Sequence, residues 1–317
     1  MKKLLALIAL STLLTGCATQ APTKVRLATH DSFVISDEQI AQFEEASGFE
    51  LEILRLGDTG SLTNQLVLTK GAPVADAFFG IDNTFESVAI ANQIVDGELT
   101  PIDYSDVCFN IDNSFFANSG ITPPESWRDL TNPEFAGLTV ITDPSLSSPG
   151  MAFLATTVAA LSTGDKFNDY WSGLAKNQVL VAGSWEDAYF TNFSRYGGEY
   201  PIVLSYASSP SAEINEDGTA GTSALLDECF RQVEYAGVIA GSINPIGAQK
   251  IVEFLTSADF QQTIPESMYV YPINQSVSLP EQWLKYALPA RTTLGEDLNF
   301  ELDRQTWVEN WRAAIGE

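Results

Sequence analysis

Residues 75–83 read ADAFFGIDN. The apolar residues follow one another without helical spacing, so the run reads as a strand buried on both faces, the kind a parallel sheet requires. It closes on Gly80-Ile81-Asp82-Asn83, which puts polar groups at the C-terminal end of the strand. A chain that sets such strands between helices is an α/β protein.

The flanking sequence repeats this grammar in both directions. Upstream, VRLATHDSF opens with a β-rich run at 25–29 and breaks at a polar turn. In SDEQIAQFEEASG, Ser36 reads as a helix N-cap with Gln39 completing a capping box; Ile40, Phe43 and Ala46 make the apolar face and Gly48 stops it. FELEILRL alternates as a strand, GDTGSL turns, and SLTNQLVLTKG begins another helix. Downstream, LTVITDPSLSSPG, NQVLVAGSWEDAYFTNF and YPIVLSYASSP each start as a strand and end in a polar turn. RQVEYAGVIAG reads as a connecting strand, NPIGAQKIVEFLTSADFQQTI as a helix pair and ESMYVYPIN as an extended aromatic segment. No internal repeat is visible.

Five turns share one design: 29–32, 57–60, 80–83, 147–150 and 205–209. Each follows an apolar strand, and in open α/β sheets ligands bind at those strand ends. Helix N-termini there offer free N–H groups that suit a phosphate or carboxylate. One such turn is ordinary capping; five together, with Trp185, Tyr189, Tyr206 and Tyr269 in the same pattern, point to a cleft. In GSWEDAYFTNF, Trp185 and Tyr189 are four apart and share a helix face beside Glu186 and Asp187. That face either buries its rings in a core or offers an aromatic, acidic wall to something flat and positive.

The N-terminus reads MKKLLALIALSTLLTGC. Lys2 and Lys3 precede an apolar run too short for a membrane span, the form of a secretory signal at 1–16. Leu14-Thr15-Gly16-Cys17 resembles a bacterial lipobox, which implies cleavage before Cys17, its lipidation, and a tether at 17–24. The mature chain is then expected outside the cytoplasmic membrane, periplasmic or cell-surface, held by lipid. Sixteen basic residues stand against 41 acidic ones, a net charge of −25. Such a surface repels nucleic acid and favours cations. Cys108 and Cys229 remain as an even pair in an oxidising place, where a disulfide is expected, although sequence alone does not bring their Cα atoms together. A lone His30 and no C-x-x-C pair exclude a zinc site built on His and Cys. G-x-S-x-G, Walker A and G-x-G-x-x-G motifs are absent, so no catalytic residue, metal or cofactor is expected, and the two-lobed chain reads as a solute receptor.

Seven collinear motifs carry a resemblance to the thiamine-binding periplasmic proteins, receptors of ABC importers. HDSF (30–33) resembles Y-D-S-F, LGDTGSLTNQL (56–66) resembles L-E-D-G-x-S-L-x-N-x-L, and ADAFFGIDN resembles A-D-V-x-x-G-x-D-N. DPSLSSPG (143–150) resembles D-P-R-x-S-x-P-G, SWEDAY (184–189) resembles G-W-S-E-A-Y, VLSYASSP (203–210) resembles V-L-S-Y-T-T-S-P, and SMYVYPIN (267–274) resembles N-W-M-Y-P-V-x-N. The resemblance implies a type II periplasmic-binding-protein fold: lobe one at 25–104, lobe two at 105–233, and a return to lobe one with C-terminal helices at 234–317. It implies thiamine or its phosphates between the lobes, an ABC permease as partner, and a monomer. Asp58 would accept from the pyrimidine amino group, with Trp185, Tyr189, Tyr206 and Tyr269 as the ring wall. Ser148, Gly150, Ser208 and Ser209 would hold the hydroxyethyl or a phosphate, with His30, Asp31, Asp82 and Asn83 around them. His30 stands where the family has Tyr, and Tyr269 where it has Trp. The competing expectations are a receptor of this fold for polyamine or ferric iron, and a thiaminase-I-like enzyme using Cys108.

Overall fold

The computed structural model describes residues 23–316; the leader, Cys17 and the tether up to residue 22 lie outside the described residues. Ten strands form one ladder: β1 (Thr23–Thr29), β2 (Phe49–Arg55), β3 (Ala77–Asp82), β4 (Val95–Asp112), β5 (Thr139–Thr142), β6 (Leu180–Ala182), β7 (Ile202–Tyr206), β8 (Thr222–Ala224), β9 (Phe230–Ile239) and β10 (Tyr271–Pro272). Their order is β2-β1-β3-β9-β4-β7-β5-β6, and β8 and β10 both pair with β4. Thr23 and Lys24, read as tether, already pair with Phe49 and Glu50.

β1 runs parallel to β2 and β3, and β5 runs parallel to β6 and β7. Two parallel α/β halves are therefore joined by β4 and β9, which pair antiparallel from Val95↔Ile239 to Val107↔Phe230. Asp103↔Glu234 and Tyr104↔Val233 stand at the middle of that crossing.

ADAFFGIDN shows how the halves are packed. Ala77 and Phe79 enter an apolar cluster with Val25, Leu27, Phe43 and Ile251, while Phe78 enters another with Leu62, Leu66 and Phe85 on the opposite face. This is the two-residue alternation of a strand with both faces covered. After Phe79 the register with β9 shifts, and Ile81 joins the cluster of Phe78 rather than that of Phe79. Gly80, with φ of +96°, is the extra residue of this bulge. The bulge turns the end of β3 and sends Asp82 inward, where it is fully buried.

The Ser36–Gln39 capping box is made, and Gly48 closes the helix Asp37–Ser47 in the left-handed region. SWEDAYFTNF departs from the α-helix expected there: Asp187–Asn192 is a π-helical turn. The helix Phe300–Ile315 lies against Ser148–Leu161 and Asp165–Lys176, with Trp311 edge-on to Trp171 at 6.2 Å. Cys108 and Cys229 are bonded, their Cα atoms 5.0 Å apart, beside the point where β4 and β9 enter the second half.

Candidate functional site

A cleft opens between the halves, lined by His30, Ser32, Asp58, Thr59, Trp185, Tyr206, Glu234, Met268 and Val270. His30 follows β1, Asp58 follows β2, Trp185 follows β6 and Tyr206 ends β7, so four side chains come from four strand ends. Asp58 caps the helix Thr59–Thr69: its Oδ1 accepts the Thr59 N–H at 2.7 Å. Its Oδ2 accepts the Trp185 N–H at 2.8 Å from across the cleft. Burial pushes the Asp58 carboxyl up, against the lowering pull of those two N–H donors. An ionised carboxylate offers about four lone-pair positions, so with two filled it can still accept from a ligand. The halves also touch where the Gly60 N–H donates to the Leu146 carbonyl at 2.9 Å. A Cβ at Gly60 would lie 2.7 Å from that carbonyl's carbon and oxygen.

One wall is aromatic. Trp185 stacks on Tyr189 with ring centroids 5.1 Å apart and an angle of 22°, and Tyr206 lies 5.8 Å from Trp185. The indole N–H donates to Ser205 Oγ at 3.0 Å, and Ser205 and Ser209 hydroxyls are 2.9 Å apart. Behind Trp185 a second chamber is lined by Tyr189, Tyr196, Ser209, Ala212, Glu213 and Tyr269. Tyr189 and Tyr196 both donate to Glu213 Oε1, at 3.0 and 2.6 Å, and Arg195 pairs with Glu213 Oε2 at 3.2 Å. Trp185 serves two ends at once. It belongs to an apolar cluster with Val140, Phe193 and Val203, and it presents a face to the cleft.

The floor is a buried charge network. His30 Nε2 lies 3.4 Å from Glu234 Oε1, a contact of charge without an aligned hydrogen bond. The imidazole rests over Gly80, where a Cβ would fall 2.1 Å from Cδ2. Burial presses His30 towards neutrality, but Glu234 beside it, with Asp58 and Asp31 beyond, lifts it above its ordinary value. Burial likewise pushes Glu234 up, but His30 first, then Asp103 and Gln232, together bring the carboxylate below its usual range. Asp103, opposite Glu234 on β4, is driven well above the usual carboxylate range by burial and then by Glu234. Asp82 is raised to about 7, chiefly by burial, while Thr84 N–H and hydroxyl donate to its Oδ1 at 3.0 and 2.7 Å. Both oxygens of Asp103 and Oδ2 of Asp82 have no hydrogen-bond partner among the described residues. Unpartnered buried carboxyl atoms are costly, and such groups concentrate at functional sites.

Of the residues singled out from sequence, His30, Asp58, Trp185 and Tyr206 share the cleft, and Tyr189, Ser209 and Tyr269 share the adjoining chamber. The others do not line either. Asp31 accepts the Gly57 N–H at 3.1 Å, and Asn83 clasps β9 through Arg231 O and Val233 N–H. Asp82, Ser148 and Gly150 are buried beneath the surface, and Ser208 donates to the Tyr269 carbonyl at 2.6 Å. Ser32 and Thr59 also line the cleft, from two of the five turns, without having been singled out, and sequence reasoning missed Glu234, Glu213, Met268 and Val270. A signal existed for Glu234: Gln232 and Glu234 occupy the buried phase of β9 between Phe230 and Ala236, where period two calls for apolar side chains.

Residues 80–289 match the family described as bacterial extracellular solute-binding protein. The thiamine-binding periplasmic protein of Escherichia coli (strain K12) is 30% identical over 292 residues, 86% of each chain. A solved periplasmic thiamin binding protein superposes with a TM-score of 0.80 at 26% identity, covering 98% of this chain and 100% of its own. The periplasmic binding protein AfuA of Actinobacillus pleuropneumoniae, solved with fructose-6-phosphate, gives 0.76 at 16% identity over 93% and 99% of the two chains, a likeness of fold alone. The architecture is thus the type II periplasmic-binding-protein fold.

Proposed function

The chain belongs to the bacterial extracellular solute-binding protein family, and from that premise we propose that it captures thiamine outside the cytoplasmic membrane and delivers it to an ABC importer. The observation that carries this reading is the setting of Asp58 against the faces of Trp185 and Tyr206. Thiamine joins a permanent thiazolium cation to a flat aminopyrimidine. Aromatic faces attract cations and stack on flat rings, each worth roughly 0.5–2 kcal/mol. A carboxylate accepts from an amino group in a charge-assisted bond worth about 1.5–3 kcal/mol. The relatives that bear the thiamine-binding name support the same ligand.

In this reading lobe one holds 25–104 and the return at 234–317, lobe two holds 105–233, and closure about β4 and β9 brings Asp58 to Trp185. Cys17 anchors the receptor by lipid, and it acts as a monomer without catalysis. Cys108, the nucleophile a thiaminase-like reading would use, is engaged with Cys229. Among the described residues no helix is long and apolar enough to cross a membrane.

Calorimetric titration of the mature domain with thiamine, spermidine and ferric citrate tests the reading. Saturable binding of thiamine alone is expected. Binding of spermidine or iron without thiamine would transfer the site to another cation.

A further inference from the structure

We infer that the cleft exchanges a proton for its cationic ligand: the His30 imidazolium, counter-ion to Glu234 before binding, gives its proton to solvent as the ligand's cation takes over that role. The inference rests on the thiamine reading of the same cleft.

The geometry begins in the sheet. β9 lies between β3 and β4, and Glu234 is in register with Asp82 on one side and with Asp103 on the other. Three carboxyls thus stand side by side across three strands, and all three are buried. Like charges directly opposite on neighbouring strands repel. So far from water, three such carboxyls do not ionise together, and the row must hold protons. Asp103 holds one: both its oxygens lack a partner among the described residues, and burial and then Glu234 keep it neutral. Arg304 faces Asp82 from the helix Phe300–Ile315. Glu234 is the ionised member. His30 Nε2 lies 3.4 Å from its Oε1, and Gln232 donates to the same oxygen at 3.2 Å.

The charged neighbours of His30 are acids. Glu234 faces it from β9, Asp58 from the start of the helix Thr59–Thr69, and Asp31 from its own turn. Phe79 and Gly80 of β3 pack on the ring without charge, and Met268 and Val270 add none to the lining. Tyr206 lines the cleft from β7, and burial first, then the acids around it, hold its hydroxyl protonated. Burial disfavours the imidazolium, but the acids overcome this, Glu234 first. A thiazolium entering this cleft cannot shed its charge, whereas an imidazolium can. Two positive charges a few ångströms apart in a partly dry site repel strongly. Loss of one N–H proton from His30 removes that repulsion: the electron pair stays on the ring, the proton passes to the buffer, and the Glu234 charge is left to the ligand. Asp82 lies beneath the surface on the far side of Glu234 and feels the incoming charge less.

Calorimetry of wild type with thiamine at neutral pH, repeated in buffers of unlike ionisation enthalpy, counts the protons exchanged. About half a proton or more should be released per thiamine bound. Affinity should rise with pH from about 6 to 8 and level off once His30 is neutral before binding. NMR of the chain's one histidine gives a second readout: His30 should titrate lower in the thiamine-saturated protein than in the free protein. In Glu234→Gln, His30 loses the acid that chiefly lifts it and is neutral before thiamine arrives. Proton release should then shrink to near nothing, and thiamine should bind about tenfold or more weakly. Asp82→Asn should keep the release. Thermal unfolding checks that each variant folds, and the two wild-type measurements decide the matter where one does not. Thiamine binding with the same enthalpy in every buffer, or a His30 that titrates as high in the bound protein as in the free one, overturns the inference and leaves the thiamine reading standing. If wild type binds no thiamine, that reading falls and the exchange with it.

Discussion

The backbone N–H of Trp185 donates to Asp58 Oδ2 over 2.8 Å, joining residues 127 positions apart that face each other across the cleft. One carboxylate thus caps a helix in the first half and tethers a loop of the second. In the proposed reading a ligand amino group would share an acceptor that already bonds both halves. Asp58→Asn keeps the shape but turns one acceptor oxygen into an NH2 group that must oppose an N–H. Thiamine affinity should fall by about 1.5–3 kcal/mol, read by calorimetry. An unchanged affinity would remove Asp58 from the site.

Gly60 separates closure from folding. It sits in the first turn of Thr59–Thr69, where Ala is a better helix former by about 1 kcal/mol. Its Cβ would nevertheless meet the Leu146 carbonyl and Ser145 O of the other half at 2.7 Å. Gly60→Ala should therefore hold the unliganded melting temperature or raise it, while weakening thiamine binding about tenfold or more. Small-angle scattering should show no compaction on adding ligand. A variant that binds and compacts as wild type does would show that this approach is not needed for closure.

Gly80→Ala tests the floor. The backbone at +96° strains any side chain, and the new Cβ overlaps His30 Cδ2. Urea unfolding should register a loss of about 1–3 kcal/mol. Because His30 is the chain's one histidine, its NMR titration is unambiguous. The wild-type value should lie above an ordinary histidine and that of Gly80→Ala should fall.

Asp82 gives stability a slope with pH. An ordinary aspartate titrates near 3.9, and burial raises Asp82 to about 7. Between those values the folded chain holds a proton the unfolded chain has released, so stability falls as pH rises through this window, by up to about 4 kcal/mol. Asp82→Asn carries no such proton. It should make the profile less steep, leaving the slope that Asp103 contributes, and melt higher than wild type above neutral pH. Parallel slopes in thermal melts of the two proteins would contradict this assignment.

Local signals in the chain were readable and distant ones were not. The apolar run before Gly80, the Ser36–Gln39 box and the polar strand ends follow from a few neighbouring residues, and they are where His30, Asp58, Trp185 and Tyr206 come from. Glu234 escaped because its burial is set by β3 and β4, which flank β9 and lie over a hundred residues earlier. The bulge escaped for a related reason. Gly80 reads as a turn residue, but that it shifts Ile81 to the other face and makes room for an imidazole depends on β9 and on His30. In SWEDAYFTNF the spacing of the two rings was informative, yet the π turn at Asp187–Asn192 has no local sequence signature.

The crossing of β4 and β9 also fixes an order of events in time. A chain that emerges N-terminus first exposes β1, β2 and β3 long before β9, the strand that pairs with the far edge of β3. The first half must wait, open-edged, while more than 150 residues follow. The strands β5, β6 and β7 find one another and β4 within one contiguous stretch, and the bond between Cys108 and Cys229 closes that stretch into a ring of 121 residues' separation. The half that begins second is thus the first able to finish, and its disulfide can form before the N-terminal strands are sealed. Pulse-chase samples should show thiols lost before the region around β1 resists protease.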